Sequence, residues 1–176
     1  MSILDYFLPD PTRDWPESRP VPLVYDLARR ELNGIPRGAP ADRLRALGRP
    51  GNRKPSWIGI FAYPRLGIQV HLGVSRVQSV TCVFQAKLAD TEIEDDPDFR
   101  PCAIDLRTGG AERVRVTADT GREDVERQLG SLTLDRWDPA VPILRITVDG
   151  VDLGFEFDSH GRLRILDIEP DDPVQS

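Results

Sequence analysis

The sequence predicts an α+β fold: two helix-plus-three-strand antiparallel repeats that form one shared sheet, with helices packed on one face. Three observations predict it. Residues 142–158, PILRITVDGVDLGFEFD, lie without a gap on residues 55–71, PSWIGIFAYPRLGIQVH, at an offset of 87. Each segment follows a helix-like stretch that stops at a glycine, Gly48 in one case and Gly130 in the other. Each is followed by a third strand with one irregular apolar spacing, Val77, Val80, Cys82 and Leu163, Leu166, Ile168. Strict alternation does not produce that spacing, whereas a β-bulge in each strand does. Similarity at a fixed period is the mark of an internal repeat.

The elements follow in order. Residues 1–20 carry four prolines and no periodicity, which predicts an extended N-terminal arm; Ile3, Leu4, Tyr6, Phe7 and Leu8 give it apolar groups that can dock on a groove. Residues 21–88 form the first repeat. Its first helix spans 22–32, with Pro22 in the opening turn and Asn33-Gly34 as a left-handed stop. A second spans 40–47, with Leu44 and Leu47 three apart on one face and Pro50 beyond Gly48. A strand–turn–strand and a third strand complete the unit. Residues 89–118 are an acidic loop and a connecting hairpin; ADTEIEDDPDFRP (89–101) holds too many charges for a core. Residues 119–170 form the second repeat, with a helix over 120–130 that places Val125 and Leu129 on one face. Residues 171–176 are a C-terminal tail.

Strand alternation sorts the side chains. Leu144, Ile146, Val148, Phe155 and Phe157 fall on an apolar face that the helices must cover. Arg145, Thr147, Glu156 and Asp158 fall on the other, joined in the first repeat by Ile58, Ile60, Gln69 and His71. These eight residues are the candidate protein-binding face. Two outward isoleucines on a bare sheet make an apolar patch of the kind that marks an interaction site, unless the N-terminal arm or residues 101–117 cover it.

GAPADRLRALGRP and TGREDVERQLG, each followed by a three-strand meander, carry a family resemblance over about residues 34–84 and 119–169. The pattern resembles the tandem helix-plus-sheet fold of the β-lactamase inhibitor proteins. Each unit is also similar to the small lipoprotein of the outer-membrane barrel-assembly machinery. The resemblance implies a helix-backed sheet whose open face binds another protein. It departs in one respect: those relatives are exported, and the start of this chain has no basic, apolar leader. It carries over no inhibitory residue.

Composition narrows the function classes. The chain has 176 residues, 39% hydrophobic and 30% charged, with a net charge of −6. That balance argues against a nucleic-acid partner, which calls for a basic stripe. Arginine outnumbers lysine 21 to 2, as a GC-rich genome produces. The basic run Arg43, Arg45, Arg49, Arg53 and Lys54 reads as a solvated helix face and loop. No run of 18 apolar residues is present, so no membrane partner is expected, and the absence of a leader points to the cytoplasm. Cys82 and Cys102 read as reduced, buried thiols. The two histidines read as a strand residue, His71, and a turn residue, His160. Glu156, Asp158 and His160 can make a metal site only if the turn folds back onto the strand. The acidic loop lacks the ligand order of a calcium loop, and no nucleophile elbow, phosphate loop or zinc motif occurs.

The sequence therefore points to a non-enzymatic protein-binding module without a cofactor. Its most concrete form is an inhibitor or immunity protein that meets a bacterial toxin or enzyme through the open sheet face. The expected partner is a basic protein, or a second copy in a homodimer. The alternatives are a small metal-dependent enzyme built on Glu156, Asp158 and His160, or a structural subunit of a larger assembly.

Overall fold

The computed structural model describes residues 10–51, 59–85, 96–110, 112–130, 133–136 and 143–170. The molecule is built mainly from strands, in two sheets. The small sheet has the order β3-β2-β1-β7-β8, from β1 (Leu23–Asp26), β2 (Glu31–Leu32), β3 (Ile35–Pro36), β7 (Ile104–Arg107) and β8 (Arg113–Val116). The large sheet has seven strands in the order β4-β5-β6-β12-β11-β10-β9: β4 (Gly59–Tyr63), β5 (Ile68–Gly73), β6 (Arg76–Val83), β9 (Thr133–Arg136), β10 (Ile143–Val148), β11 (Val151–Phe157) and β12 (Leu163–Pro170). The chain alternates between them: β1–β3 and β7–β8 build the small sheet, and β4–β6 and β9–β12 the large one. All pairings are antiparallel except β1–β7, where Leu23 stands beside Ile104 and Tyr25 beside Leu106.

This corrects the expected α+β repeat. The apolar face of the large sheet shares its core with a second sheet, and Leu44, Leu47 and Val125 from two short helical segments enter the same core. One continuous core joins Leu23, Tyr25, Ile104, Leu106, Val114 and Val116 of the small sheet to Phe61, Ile68, Val70, Leu153, Phe155 and Leu166 of the large one. Each Leu- or Phe-sized side chain so buried contributes about 1.5–3 kcal/mol.

The expected helix at 22–32 is β1, a turn and β2. Leu23, Tyr25 and Leu27 are buried while Val24 and Asp26 are half-buried, a period of two. Pairing with β7 outweighs the helix formers at 28–32, because tertiary burial routinely overrides local propensity. Asn33 holds the turn: its Oδ1 accepts from the Val24 amide at 2.7 Å, and its Nδ2 donates to the Pro22 carbonyl at 3.1 Å.

The stretch expected as a second helix is a 3₁₀ segment, Ala41–Leu47, ending at Gly48. Three residues per turn eclipse Leu44 and Leu47, and both are buried. Only the third expected helix is α-helical: α1, Arg122–Leu129, which buries Val125. The Gly121 amide donates to Asp124 Oδ2 at 3.2 Å and satisfies one orphan donor of its first turn.

The two hairpins differ in register. β4 and β5 are joined through a short 3₁₀ turn, Pro64–Leu66, and Gly67. β10 and β11 are joined by the two-residue turn Asp149-Gly150, both at positive φ. The Leu66-Gly67 and Leu153-Gly154 pairs, superposed in the sequence alignment, thus occupy a turn and a strand interior. The shared offset sets different strand positions opposite one another in the two hairpins, so the gapless tandem repeat does not hold. Gly67 has its own constraint: at φ 65° a Cβ would meet the Cys102 amide nitrogen at 2.4 Å and the Arg100 carbonyl oxygen at 2.5 Å.

Both third strands do carry a bulge. β6 shifts register opposite His71/Leu72 and leaves out Gln78; β12 shifts opposite Glu156/Phe157 and leaves out Arg164. The third strands then pair with each other, Val80 with Ile168, Thr81 with Asp167 and Cys82 with Leu166. The registers make a local two-fold relation between β6 and β12, centred on Thr81 and Asp167.

Candidate functional site on the large sheet

One rung crosses the whole large sheet. Ala62, Gln69, Thr81, Asp167, Gly154, Arg145 and Thr133 are successive cross-strand partners from β4 to β9. It runs over the face opposite the core, because Phe61, Val70, Cys82, Ile168, Leu153 and Leu144 alternate with it and point inward. Among the described residues no helix and no second sheet lies across this face. Phe99 packs at one end, against Ala62, Val83 and Ile165.

The middle of the rung holds a hydrogen-bonded file on three adjacent strands. Thr81 Oγ1 donates to Asp167 Oδ1 at 2.7 Å, and His71 Nε2 lies 2.9 Å from the same hydroxyl. A threonine hydroxyl has one proton. With it given to Asp167, the imidazole must donate, so His71 carries hydrogen on Nε2. Asp167 lies on the central strand of seven and is half-buried. Burial pushes its carboxyl above the usual aspartate range, and neighbouring Glu169 adds to this. The Thr81 hydroxyl, His71 and Arg145 pull the other way without overcoming burial. Arg145 contacts Glu169 at 3.3 Å.

The predicted face residues are placed as follows. Gln69, His71, Arg145, Thr147 and Glu156 share this face with Ile60, which is half-buried on β4. Ile58 lies outside the described residues. Gln69 is only 3% exposed, and its Nε2 has no partner among the described residues. Thr147 donates to Asp152 at 2.5 Å, and Glu156 pairs with Arg164 at 3.3 Å. Asp158 follows the end of β11 and organises the hairpin: Oδ1 accepts from the His160 and Arg162 amides at 2.8 and 2.9 Å, and Oδ2 from Gln85 at 3.2 Å. These bonds, the Arg162 amide first, hold its carboxyl below the usual range. Glu156, Asp158 and His160 thus serve separate contacts, and no group of three metal-ligating side chains occurs among the described residues. Cys82 and Cys102 are buried free thiols; a hydrogen bond with Cys102, in which the protonated Cys82 thiol donates, and burial push the Cys82 thiol up.

Thr81 and Asp167 escaped the sequence reading. Their signal was present: each sits between two inward residues of a third strand, so each faces outward. Only the pairing of those strands brings them together.

No protein-family model and no curated protein matches this chain. Among solved structures it is similar to a DUF4309 family protein from Bacillus subtilis, at 10% identity and TM-score 0.46, over 76% of this chain and 79% of that one. It is also similar to an extracellular protein containing a SCP domain from Bacillus anthracis, at 15% identity and TM-score 0.42, over 77% of this chain and 44% of that one. Neither description names an enzymatic activity. Both scores fall below 0.5, too low to transfer fold or role.

Proposed function

We propose that this chain is a non-enzymatic protein-binding module that presents the face of the large sheet opposite the core to a basic partner protein, in the manner of an inhibitor or immunity protein for a bacterial toxin or enzyme. The observation that carries the reading is the His71–Thr81–Asp167 file at the sheet centre, a half-buried carboxylate held by one hydroxyl and, among the described residues, by no direct cation. A partner's lysine or arginine set against Asp167 supplies the missing countercharge. Among the described residues of this face, Asp152, Glu156, Asp167 and Glu169 outnumber Arg145 and Arg164, and the whole chain is acidic. Complementary potentials of this kind speed encounter and suppress wrong partners. Ile60 adds an apolar anchor at one side of the face.

The test is affinity capture with the wild type and with Ile60→Arg and Asp167→Asn, followed by identification of the retained protein and measurement of its Kd. The proposal expects a basic protein whose binding weakens with salt and falls at least about tenfold in each variant, while thermal unfolding shows both variants folded. Equal capture by all three would overturn it.

A further inference from the structure

The two cysteines of the chain meet inside the core. Cys82 lies on β6, between its partners Ile68 of β5 and Leu166 of β12. Cys102 stands two residues before β7. Both are buried free thiols of the one continuous core, and their side chains are hydrogen-bonded to each other.

Backbone contacts fix the meeting. The Arg100 amide donates to the Pro64 carbonyl at 2.9 Å, and the Cys102 amide to the carbonyl of Val83, the residue after Cys82, at 2.9 Å. The Val83 amide in turn donates to the Gly67 carbonyl at 2.8 Å. Gly67 leaves room for this approach, since a Cβ there would lie 2.8 Å from Cys102 Cα. A disulfide needs two backbones brought close and side chains that converge. The bond between Cys102 and Val83 supplies the first, and the thiol contact the second. As packing units the two thiols are small hydrophobes. In contact, they also offer the core a two-electron chemistry that other small apolar residues lack.

We propose that Cys82 and Cys102 are a redox-sensitive clasp, a dithiol that a small-molecule disulfide converts into a bond tying β6 of the large sheet to the segment that leads into β7 of the small one. One protein thiolate attacks a sulfur of the reagent, forms a mixed disulfide and releases one small thiol. The other attacks the protein sulfur of that mixed disulfide and releases the second. The two protein thiols lose two protons and two electrons, and the reagent takes up both as two thiols. Burial shields both sulfurs in the closed fold, so exchange proceeds during folding or through opening of the 100–102 segment. Once made, the bond restricts the unfolded chain and stabilises the fold. The clasp lies on the core side of the large sheet and rests on no part of the protein-binding reading.

Refolding the full chain from urea in glutathione buffers of graded oxidised-to-reduced ratio, then alkylating free thiols and mapping the peptides by mass, tests this. The expected result is one intramolecular Cys82–Cys102 bond in the oxidising buffers, with two hydrogens lost from the chain, and two free thiols in the reducing ones. The bridged form unfolds at a temperature higher by at least about 4 °C. Cys102→Ala unfolds at the same temperature in both kinds of buffer. Free thiols or glutathione adducts at every ratio, bonds between chains in place of the internal one, or a bridged form no more stable than the reduced one would overturn the clasp. So would a Cys102→Ala chain whose stability follows the buffer as the wild type's does.

Discussion

Asp105 and Asp167 share a local sequence and differ in everything that matters electrostatically. Asp105 stands between Ile104 and Leu106 on β7, and Asp167 between Leu166 and Ile168 on β12; in both strands the flanking residues enter the core. Both carboxylates therefore face away from it. Across β7, Asp105 meets Arg115, with Arg113 on the diagonal. Arg115 Nη1 reaches both carboxylate oxygens at 3.1 Å, and Arg113 hydrogen-bonds to Oδ2. Across β12, Asp167 meets Thr81 on one side and Gly154 on the other. Asp105 is more deeply buried, with a side chain only 2% exposed. Burial is the largest influence on it and raises its pKa, yet the two arginines turn the net shift downward. For Asp167 burial prevails and the shift is upward. The cross-strand neighbour decides whether a mid-strand carboxylate is a finished structural pair or an unfinished site.

The two aspartates also have opposite pH signatures. A carboxyl whose folded pKa is lowered binds fewer protons in the folded state. Asp105 thus contributes stability above its unfolded value near 3.8, which is lost as pH falls through its folded pKa. A raised folded pKa does the reverse. The Asp167 contribution is fully present below the unfolded value and is lost as pH rises through the folded one.

The sharpest way to break the contrast is to strip Asp105 of its cations. Arg113→Ala/Arg115→Ala leaves a buried charge unpaired and costs about 3–5 kcal/mol in urea unfolding at neutral pH. Part of the loss is recovered on acidification, when Asp105 protonates. Gly67→Ala, a control on the fold alone, costs about 3 kcal/mol through backbone overlap and positive φ. Thr81→Val removes the hydroxyl from His71 and Asp167 together and costs about 1–3 kcal/mol. Asp167→Asn keeps an acceptor for Thr81 and removes the charge. It gains on the order of 1 kcal/mol at pH 7, the scale of one poorly solvated polar group, and flattens the decline in stability above pH 4. A loss of stability in Asp167→Asn at neutral pH would show that its carboxylate is as well compensated as that of Asp105.

The sequence shows the same pattern, I-D-L and L-D-I, at both sites, and that is why it could not separate them. The sequence analysis placed Gln69, His71 and Arg145 on one strand face by alternation, and it did not extend that alternation to Asp105 or Asp167. The expected bulges in β6 and β12 were legible from the irregular spacing of Val77, Val80 and Cys82 and its counterpart. What local pattern could not carry was pairing. Leu23–Leu32 reads as a helix until β7, some eighty residues on, offers a parallel edge.

Carboxyl-carbon NMR titration of Asp105 and Asp167 in the folded protein measures the contrast directly. The account predicts that Asp167 titrates above an unperturbed aspartate and Asp105 below it, with the Asp167 midpoint moving further upward in Thr81→Val. Midpoints that coincide, or an Asp167 that titrates below Asp105, would contradict it.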